Sequence, residues 1–320
     1  MKYTLENQIV LITGGSQGLG KEFAKKYYNE AENTKIIVVS RSEAKLLDTC
    51  NEIRLAAHLR RETSDEGQVQ HKLAAPVDPE QRLFYYPCDL SCYESVEKLF
   101  NVLRDFELFP TQTLCCAGGS VPKLFRGLSG QELDQGMDIN YKTTLNVAHQ
   151  LALAEQTREH HLIIFSSVTA LYPFVGYSQY APAKAAMKSL VAILRQELTN
   201  FRVSCVYPGN FESEGFTLEQ VTKPEITKLI EGPSDAIPCK EACDIVATAL
   251  ARGQDDVFTD FVGWMIMGMD LGLTIKRSRF VALQWLFGVL LNIIVVPFYL
   301  AGCSWYIRKW FRENGSKKAT

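Results

Sequence analysis

Short runs of apolar and β-branched residues alternate along the chain with longer segments in which apolar residues recur every three or four positions. The short runs predict strands at Gln8–Thr13, Lys35–Ser40, Leu83–Cys88, Gln112–Ala117, His161–Ser166, Arg202–Tyr207 and Asp255–Thr259. The longer segments predict helices, clearest at Leu19–Tyr28, Ser91–Phe106, Glu132–Ala154 and Ala183–Asn200. This alternation is typical of an α/β fold with a doubly wound parallel sheet, which binds its ligands at the carboxyl ends of the strands.

Two segments depart from the alternation. His58–Gln81 is rich in charged and polar residues, which predicts a solvated, mobile insertion over residues 58–81. Phe280–Ile307, in contrast, holds no charged residue in 28 positions, and about 20 apolar residues suffice to cross a bilayer as a helix. The pattern therefore divides the chain into a folded domain, residues 1–260, and a membrane-associated tail, residues 261–320, in which Phe261–Ile275 is expected to add an interfacial helix.

Composition and charge exclude several classes of protein. A hydrophobic content of 47% excludes a disordered chain. The 34 basic and 36 acidic side chains leave a net charge of −2, which excludes the strongly basic domain of a general nucleic-acid binder. The nine cysteines form no CxxC pair and the five histidines show no ligand spacing, so we expect reduced thiols and no metal site.

The first predicted strand runs directly into a glycine-rich turn, Thr13-Gly-Gly-Ser-Gln-Gly-Leu-Gly20. Gly14, Gly18 and Gly20 allow a tight turn and a close approach of the backbone to a pyrophosphate, at which the following helix points its N-terminus. The TGxxxGxG spacing resembles the short-chain dehydrogenase/reductase family, which has a Rossmann-like fold. That resemblance implies that Ser16 and Leu19 also contact the cofactor.

The end of the second predicted strand indicates which dinucleotide is used. An enzyme that uses NAD usually carries an acidic residue here, for the 2′-hydroxyl of the ribose. This chain has Ser40 followed by Arg41, and a guanidinium is suited to hold a 2′-phosphate. Arg41 therefore predicts NADPH as the cofactor.

Two further segments of the predicted cofactor site can be compared with the family; the first matches it and the second does not. Asp89 and Leu90, just after the third predicted strand, match the family position that hydrogen-bonds the adenine. The fourth strand ends in Cys115-Cys116-Ala-Gly, where the family usually has Asn-Asn-Ala-Gly. This departure removes two polar contacts from that wall of the site.

A catalytic set follows the fifth predicted strand. Tyr180 and Lys184 fit the pattern YxxxK and would project together from the start of a helix, with Ser167 lying 13 residues before the tyrosine. When a hydride adds to a ketone the oxygen needs a proton, and a nearby ammonium is expected to lower the high pKa of the tyrosine. The resemblance implies that Lys184 also holds the nicotinamide ribose, that Ser167 orients the substrate oxygen and that Asn140 supports a proton relay.

Residues 208–232 correspond to the substrate lid of the family. Phe211 and Phe216 suit a flap over an apolar chain, and Glu212 or Glu214 could pair with an amine on the substrate or be solvated. The lid and the apolar tail together are similar to members of the family that reduce a long-chain amino ketone of sphingolipid synthesis.

The tail predicts a location. Lys317 and Lys318 resemble the dilysine retrieval signal of the endoplasmic-reticulum membrane, which acts from the cytosol. Basic residues flank the apolar run on both sides, at Lys276, Arg277, Arg279, Arg308, Lys309 and Arg312. Positive residues tend to stay cytosolic, so we expect both ends of the tail and the catalytic domain to face the cytosol. A re-entrant hairpin bent near Asn292–Pro297, or an interfacial helix, meets this condition.

Several alternatives stay open at this point. A membrane-bound reductase of steroids or retinoids would share the whole catalytic set, and a membrane-anchored NADPH-binding partner protein would share the fold without turnover. The tail could instead be a buried core helix or a dimer helix. Members of the family often form homo-oligomers, which the sequence does not decide.

Overall fold

A computed structural model describes residues 1–61, 72–73, 81–154, 158–232, 235–270 and 279–314. The described residues form a parallel sheet of seven strands: β1 Ile9–Thr13, β2 Lys35–Ser40, β3 Leu83–Pro87, β4 Gln112–Cys115, β5 His160–Phe165, β6 Phe201–Tyr207 and β7 Asp256–Phe258. Each predicted strand is confirmed, with its ends shifted by at most two residues. The predicted α/β class is therefore correct.

Helices cover both faces of this sheet. In the described part of the chain they are α1 Gly18–Glu30, α2 Glu43–Arg61, α3 Tyr93–Asp105, α4 Gly130–Met137, α5 Thr143–Ala154, α6 Ala181–Glu197, α7 Glu214–Thr222, α8 Glu225–Glu231, α9 Cys239–Ala251, α10 Phe261–Met269, α11 Val281–Ile294 and α12 Val296–Asn314. The strand order is β3-β2-β1-β4-β5-β6-β7. The order reverses between β1 and β4, and ligands of such sheets bind at the carboxyl ends of the strands beside this point.

Strand β1 shows how the sequence builds two cores on opposite faces of one sheet. Leu11 packs into the cluster under α3, α5 and α6, whereas Val10 and Ile12 pack into the cluster under α1, α2 and α9. All three side chains are fully buried. Burial of each one contributes about 1.5–3 kcal/mol, and it fixes the register in which Thr13 lies opposite Cys115.

One predicted helix is wrong in detail. Glu132–Ala154, expected as a single helix, begins earlier and is divided by a wide π turn, Asp138–Lys142, between α4 and α5. The Ser129 hydroxyl accepts a hydrogen bond from the Glu132 amide and starts α4 with a capping box. The π turn carries Asn140, whose side chain bonds outside the helix, and such insertions often occur at functional sites.

The predicted insertion, residues 58–81, lies for the most part outside the described residues. Helix α2 extends to Arg61, so the first four residues of this range belong to that helix. Lys72 forms an isolated bridge with Tyr85 of β3.

The lid and the described parts of the tail are both helical. The lid folds as α7 and α8, and the tail begins with α10, which packs closely on α11. A Cβ added at Gly288 would clash with the carbonyl oxygen of Gly268, so only glycines allow this crossing. Gln284 is 1% exposed and donates to the Trp264 carbonyl at 2.6 Å.

Helices α11 and α12 meet at Val295, inside the range where the bend was predicted. Among the described residues no single helix is long and apolar enough to cross a bilayer, but these two pass that test as a pair bent by 52°. Many of their apolar side chains are exposed, among them Phe280, Leu283, Leu286, Ile293, Phe298 and Trp305.

Candidate active site

The glycine turn lies where the strand order reverses, and its glycines cannot carry side chains. Gly14 has φ +65°, and a Cβ there would lie 2.9 Å from the Ala117 backbone. A Cβ at Gly20 would lie 2.5 Å from the Gly14 carbonyl oxygen. The turn therefore brings the N-terminus of α1 against the end of β4, as an anion-binding site requires.

Ser16 and Leu19 occupy different parts of this turn. The Ser16 carbonyl accepts a hydrogen bond from the Thr49 hydroxyl at 3.1 Å, which joins the turn to α2. The Leu19 side chain is 6% exposed and packs in the core, so a contact with a cofactor would come from its backbone.

The residues predicted to select the cofactor lie at the ends of β2 and β3. Arg41 is exposed and forms no hydrogen bond or ion pair with any described residue. Asp89 accepts hydrogen bonds from the Ser91 amide at 3.0 Å and the Ser91 hydroxyl at 2.7 Å, both at Oδ1. Its other carboxylate oxygen forms no hydrogen bond with a described residue, while Leu90 is buried at 3% exposure.

The two cysteines that replace the usual asparagines end β4. Burial raises the pKa of the Cys115 thiol to about 12 and also raises the pKa of Cys116. Both thiols are therefore neutral at physiological pH. Polarity at this wall comes from the backbone instead, where the Ala117 amide donates to the Thr13 hydroxyl at 3.2 Å.

Strand β5 and helix α6 place the predicted catalytic serine and tyrosine together. Ser167 follows β5, and its hydroxyl accepts hydrogen bonds from the Thr169 amide at 3.2 Å and the Thr169 hydroxyl at 3.0 Å. The neighbouring Ser166 is buried and donates to the Lys184 carbonyl at 2.8 Å, so it fastens α6 to β5. Tyr180 is the N-cap residue of α6, and its phenol lies close enough to the Ser167 side chain for Ser167 to lower the pKa of the phenol.

The pKa of Tyr180 departs from the sequence-based expectation. Burial of the phenol raises it, the hydrogen bond with Ser167 opposes the rise, and the charge of Glu219 adds to it. The expected lowering of this pKa is therefore wrong for this structure, because burial outweighs the neighbouring groups. The phenol stays protonated at neutral pH and is a potential proton donor.

Lys184 lies one helical turn below the tyrosine and is 4% exposed. Its Nζ atom donates to the Phe165 carbonyl at 2.9 Å and lies 5.4 Å from the centroid of the Tyr180 ring. Burial lowers the pKa of Lys184 from 10.5 to about 8. Near neutral pH the side chain is therefore still mostly an ammonium, next to a phenol that can lose a proton.

Asn140 completes the group from the opposite side. Its amide nitrogen donates to the Gly119 carbonyl at 2.9 Å, and its oxygen accepts from the Gly119 amide at 2.9 Å. A Cβ at Gly118 would lie 2.9 Å from the Asn140 oxygen and 3.2 Å from Lys184 Nζ. The structure thus brings Asn140, Lys184, Tyr180 and Ser167 together, in an arrangement that can deliver a proton to a carbonyl oxygen.

The surroundings of the lid residues predicted to contact a substrate are as follows in the structure. Glu212 and Glu214 are exposed, and Glu214 pairs with Lys45 of α2 at 3.2 Å. The Phe216 ring lies 5.9 Å from the Nζ atom of Lys223. The structure does not bring Glu212 or Glu214 into the catalytic group.

Sequence reasoning missed a buried polar cluster under the lid, which we call the lid cluster: Tyr177, Glu219, Lys223 and Glu231. Lys223 Nζ contacts Glu219 at 3.0 Å and Glu231 at 2.6 Å, and the Tyr177 hydroxyl donates to Glu219 at 2.5 Å. The spacing of Glu219 and Lys223, four residues apart on α7 and its cap, was the available signal. Its burial against Tyr177 depends on tertiary structure.

A nucleotide-binding turn and a serine–tyrosine–lysine group at one edge of a parallel sheet are features of dinucleotide-dependent oxidoreductases. The chain belongs to the short-chain dehydrogenase family, whose sequence model, described as short chain dehydrogenase, matches residues 8–75 and 53–222. These matches contain the glycine turn and the whole catalytic group.

Curated relatives narrow the similarity to one kind of enzyme. The chain is 87% identical over 319 residues, 100% of both chains, to a Saccharomyces cerevisiae protein named 3-ketodihydrosphingosine reductase TSC10. A protein of the same name from Candida glabrata is 44% identical and covers 98% of this chain and 99% of its own.

A solved structure shows the same fold. L-sorbose reductase from Gluconobacter frateurii, complexed with NADPH and L-sorbose, matches 81% of this chain and 97% of its own with a TM-score of 0.64 and 17% identity. At this identity the likeness is one of fold. It supports the sheet topology described above.

Proposed function

We propose that the protein reduces the ketone of 3-ketodihydrosphingosine to the alcohol of dihydrosphingosine, with NADPH as the hydride donor. The observation that carries this proposal is the 87% identity, over the full length, to a reductase of that name. The catalytic group supports it, because Ser167, Tyr180 and Lys184 lie together as carbonyl reduction requires.

The residues of the chain have distinct tasks in this reaction. Ser167 holds the carbonyl oxygen in place, and Tyr180 gives that oxygen a proton. The raised pKa keeps the proton on Tyr180 until the reaction, and the ammonium of Lys184, 5.4 Å from the centroid of the ring, favours the phenolate that is left. Asn140 fixes the backbone at Gly119 beside this group and supports the return of a proton to it.

NADPH fits the residues at the edge of the sheet. It supplies a hydride to the carbonyl carbon when bound. The glycine turn can pack against the end of β4 and lead directly into α1 only because no Cβ is present at Gly14 or Gly20, and the N-terminus of the helix that follows suits a pyrophosphate. We assign the 2′-phosphate to Arg41, which is exposed and without a partner among the described residues, and the adenine to Asp89.

The tail is proposed to hold the protein on the endoplasmic-reticulum membrane with the catalytic domain in the cytosol. The exposed apolar faces of α11 and α12 and their bend support a re-entrant or interfacial arrangement. Arg308, Lys309 and Arg312 follow the apolar run on α12. Lys276, Arg277 and the dilysine pair Lys317 and Lys318 lie outside the described residues.

The proposed reaction is tested by NADPH oxidation in membranes that carry the protein. The substrates are 3-ketodihydrosphingosine, a steroid ketone and retinal, with Tyr180→Phe as the inactive variant. We expect turnover of the sphingoid ketone, reduced about 100-fold or more by Tyr180→Phe. Turnover of the steroid or retinal in its place would refute the substrate assignment and leave the fold and catalytic group intact.

A further inference from the structure

The lid cluster lies directly against the catalytic tyrosine. The Tyr177 ring centroid is 6.1 Å from that of Tyr180, and the Tyr177 carbonyl accepts the Tyr180 amide at 3.0 Å. Tyr177 is 3% exposed, and its hydroxyl reaches across to Glu219 of α7. A carboxylate on the lid is therefore joined through one side chain to the proton donor of the reaction.

The carboxylate of Glu219 is held with one oxygen occupied and the other open. The Tyr177 hydroxyl and the Lys223 ammonium both contact Oε1, at 2.5 and 3.0 Å. Oε2 has no hydrogen-bond partner among the residues that the structure describes. The side chain is 15% exposed, so the carboxylate is not sealed in the core.

Lys223 holds the Glu219 carboxylate through Oε1 and leaves Oε2 without a hydrogen bond to a described residue. Its side chain is 1% exposed and is shared between Glu219 and Glu231, so Glu219 does not hold this ammonium alone. The Glu231 carboxylate also accepts the Asn210 side chain at 3.0 Å, which anchors the cluster at the base of the lid. A cationic group of a ligand is the natural partner for the open oxygen.

The substrate in the proposed function carries such a group. An ammonium stands on the carbon next to its ketone, so it must lie close to Tyr180 whenever the ketone does. We propose that Glu219 binds this ammonium through Oε2 and selects 2-amino ketones over plain ketones. This inference rests on the proposed function and replaces Glu212 and Glu214, both exposed, as the carboxylate that contacts the substrate.

The influence of Glu219 on the tyrosine agrees with this role. Burial raises the pKa of Tyr180 first, and the negative charge of Glu219 raises it further. An ammonium bound at Glu219 offsets that charge. Binding of the amino ketone therefore lowers the pKa of Tyr180 and makes its proton easier to transfer. A plain ketone of the same length has no ammonium and does not have this effect.

The test compares two substrates of equal chain length, 3-ketodihydrosphingosine and 1-hydroxyoctadecan-3-one, which lacks the amine. The quantity measured is the ratio of their kcat/KM values in the wild type, Glu219→Gln and Glu214→Gln. Loss of a charge-assisted hydrogen bond should lower this ratio about 10- to 100-fold in Glu219→Gln. Glu214→Gln, which changes an exposed lid carboxylate, should keep the wild-type ratio.

Three further controls make the outcome decisive. NADPH binding and the thermal transition of each variant show whether it folds, and Glu219→Asp, which keeps the charge, should retain a ratio above that of Glu219→Gln. If the ratio in Glu219→Gln stays at the wild-type value, whether or not kcat/KM falls equally for both substrates, the role of Glu219 is overturned. A wild type that does not reduce the amino ketone would refute the proposed function itself, a result visible without any variant.

Discussion

The Nζ atom of Lys184 lies over the face of the Tyr180 ring, 5.4 Å from its centroid, and is held there by the Phe165 carbonyl. The ammonium is thus fixed by the backbone of β5, not by the phenol oxygen. Its position does not depend on whether Tyr180 has given up its proton. The lysine can therefore support the same geometry before and after proton transfer.

The buried Lys184 predicts a pH dependence of stability. Its pKa is lowered by burial from 10.5 to about 8, so between these values the unfolded chain binds a proton that the folded chain has released. Stability should therefore rise with pH across this window, by up to about 1.4 kcal/mol per pH unit. We expect the unfolding free energy of the wild type to rise relative to that of Lys184→Met between pH 8 and 9.5. A constant difference in denaturant titrations would contradict this.

Arg41 predicts the choice of cofactor. Arg41→Ala should weaken NADPH binding by about 1.5–3 kcal/mol and leave NADH binding nearly unchanged, because only NADPH carries the 2′-phosphate. Fluorescence titration of both nucleotides measures the change. Arg126→Ala, which removes another exposed arginine, in the segment after β4, serves as the matched control. Equal weakening of both nucleotides would argue against a role in selection.

The glycine turn predicts a steric effect on folding and binding. Gly14→Ala places a Cβ against the Ala117 backbone in a left-handed conformation, and it should cost about 1–3 kcal/mol of stability and impair NADPH binding. Gly119→Ala lies near the same site, but its added methyl meets nothing within 4 Å. Thermal unfolding should show a loss for the first variant only, and similar losses for both would refute the steric argument.

The crossing of α10 and α11 gives a separate prediction. Gly288→Ala forces a methyl into the Gly268 carbonyl and should destabilise the tail by about 1–3 kcal/mol. Gly302→Ala, on α12, meets nothing within 4 Å and should be neutral. Limited proteolysis of the tail in detergent measures the difference. If the protease cleaves the tails of the two variants at the same rate, the close contact between α10 and α11 is not needed for the stability of the tail.

The sequence predicted most of the fold because its signals are local. The apolar runs of β1 to β7 and the spacing of Gly14, Tyr180 and Lys184 lie within one or two elements each, and the structure places these residues at one sheet edge. The bend at Val295 was also predicted within a few residues. The catalytic and binding roles of these residues stay predictions.

What could not be predicted depends on contacts between distant segments. The Tyr177 hydroxyl meets Glu219 across 42 residues, and no local pattern distinguishes this glutamate from Glu212 or Glu214. The π turn at Asn140 was missed for the same reason, since it is stabilised by Gly119, 21 residues away. The pKa of Tyr180 was predicted in the wrong direction because burial is invisible in a motif.

Helix α6, which carries Lys184, also contacts the tail. Lys188 lies one turn beyond Lys184 on this helix and forms an ion pair with Asp270, directly after α10. On the other side of the site, the Tyr172 hydroxyl meets that of Tyr299 on α12 at 3.4 Å. In the proposed membrane arrangement, this ion pair and this contact between hydroxyls hold the catalytic tyrosine at a fixed distance from the lipid surface. Only the ketone end of the substrate then needs to rise to that height, while its hydrocarbon chain stays among the lipids.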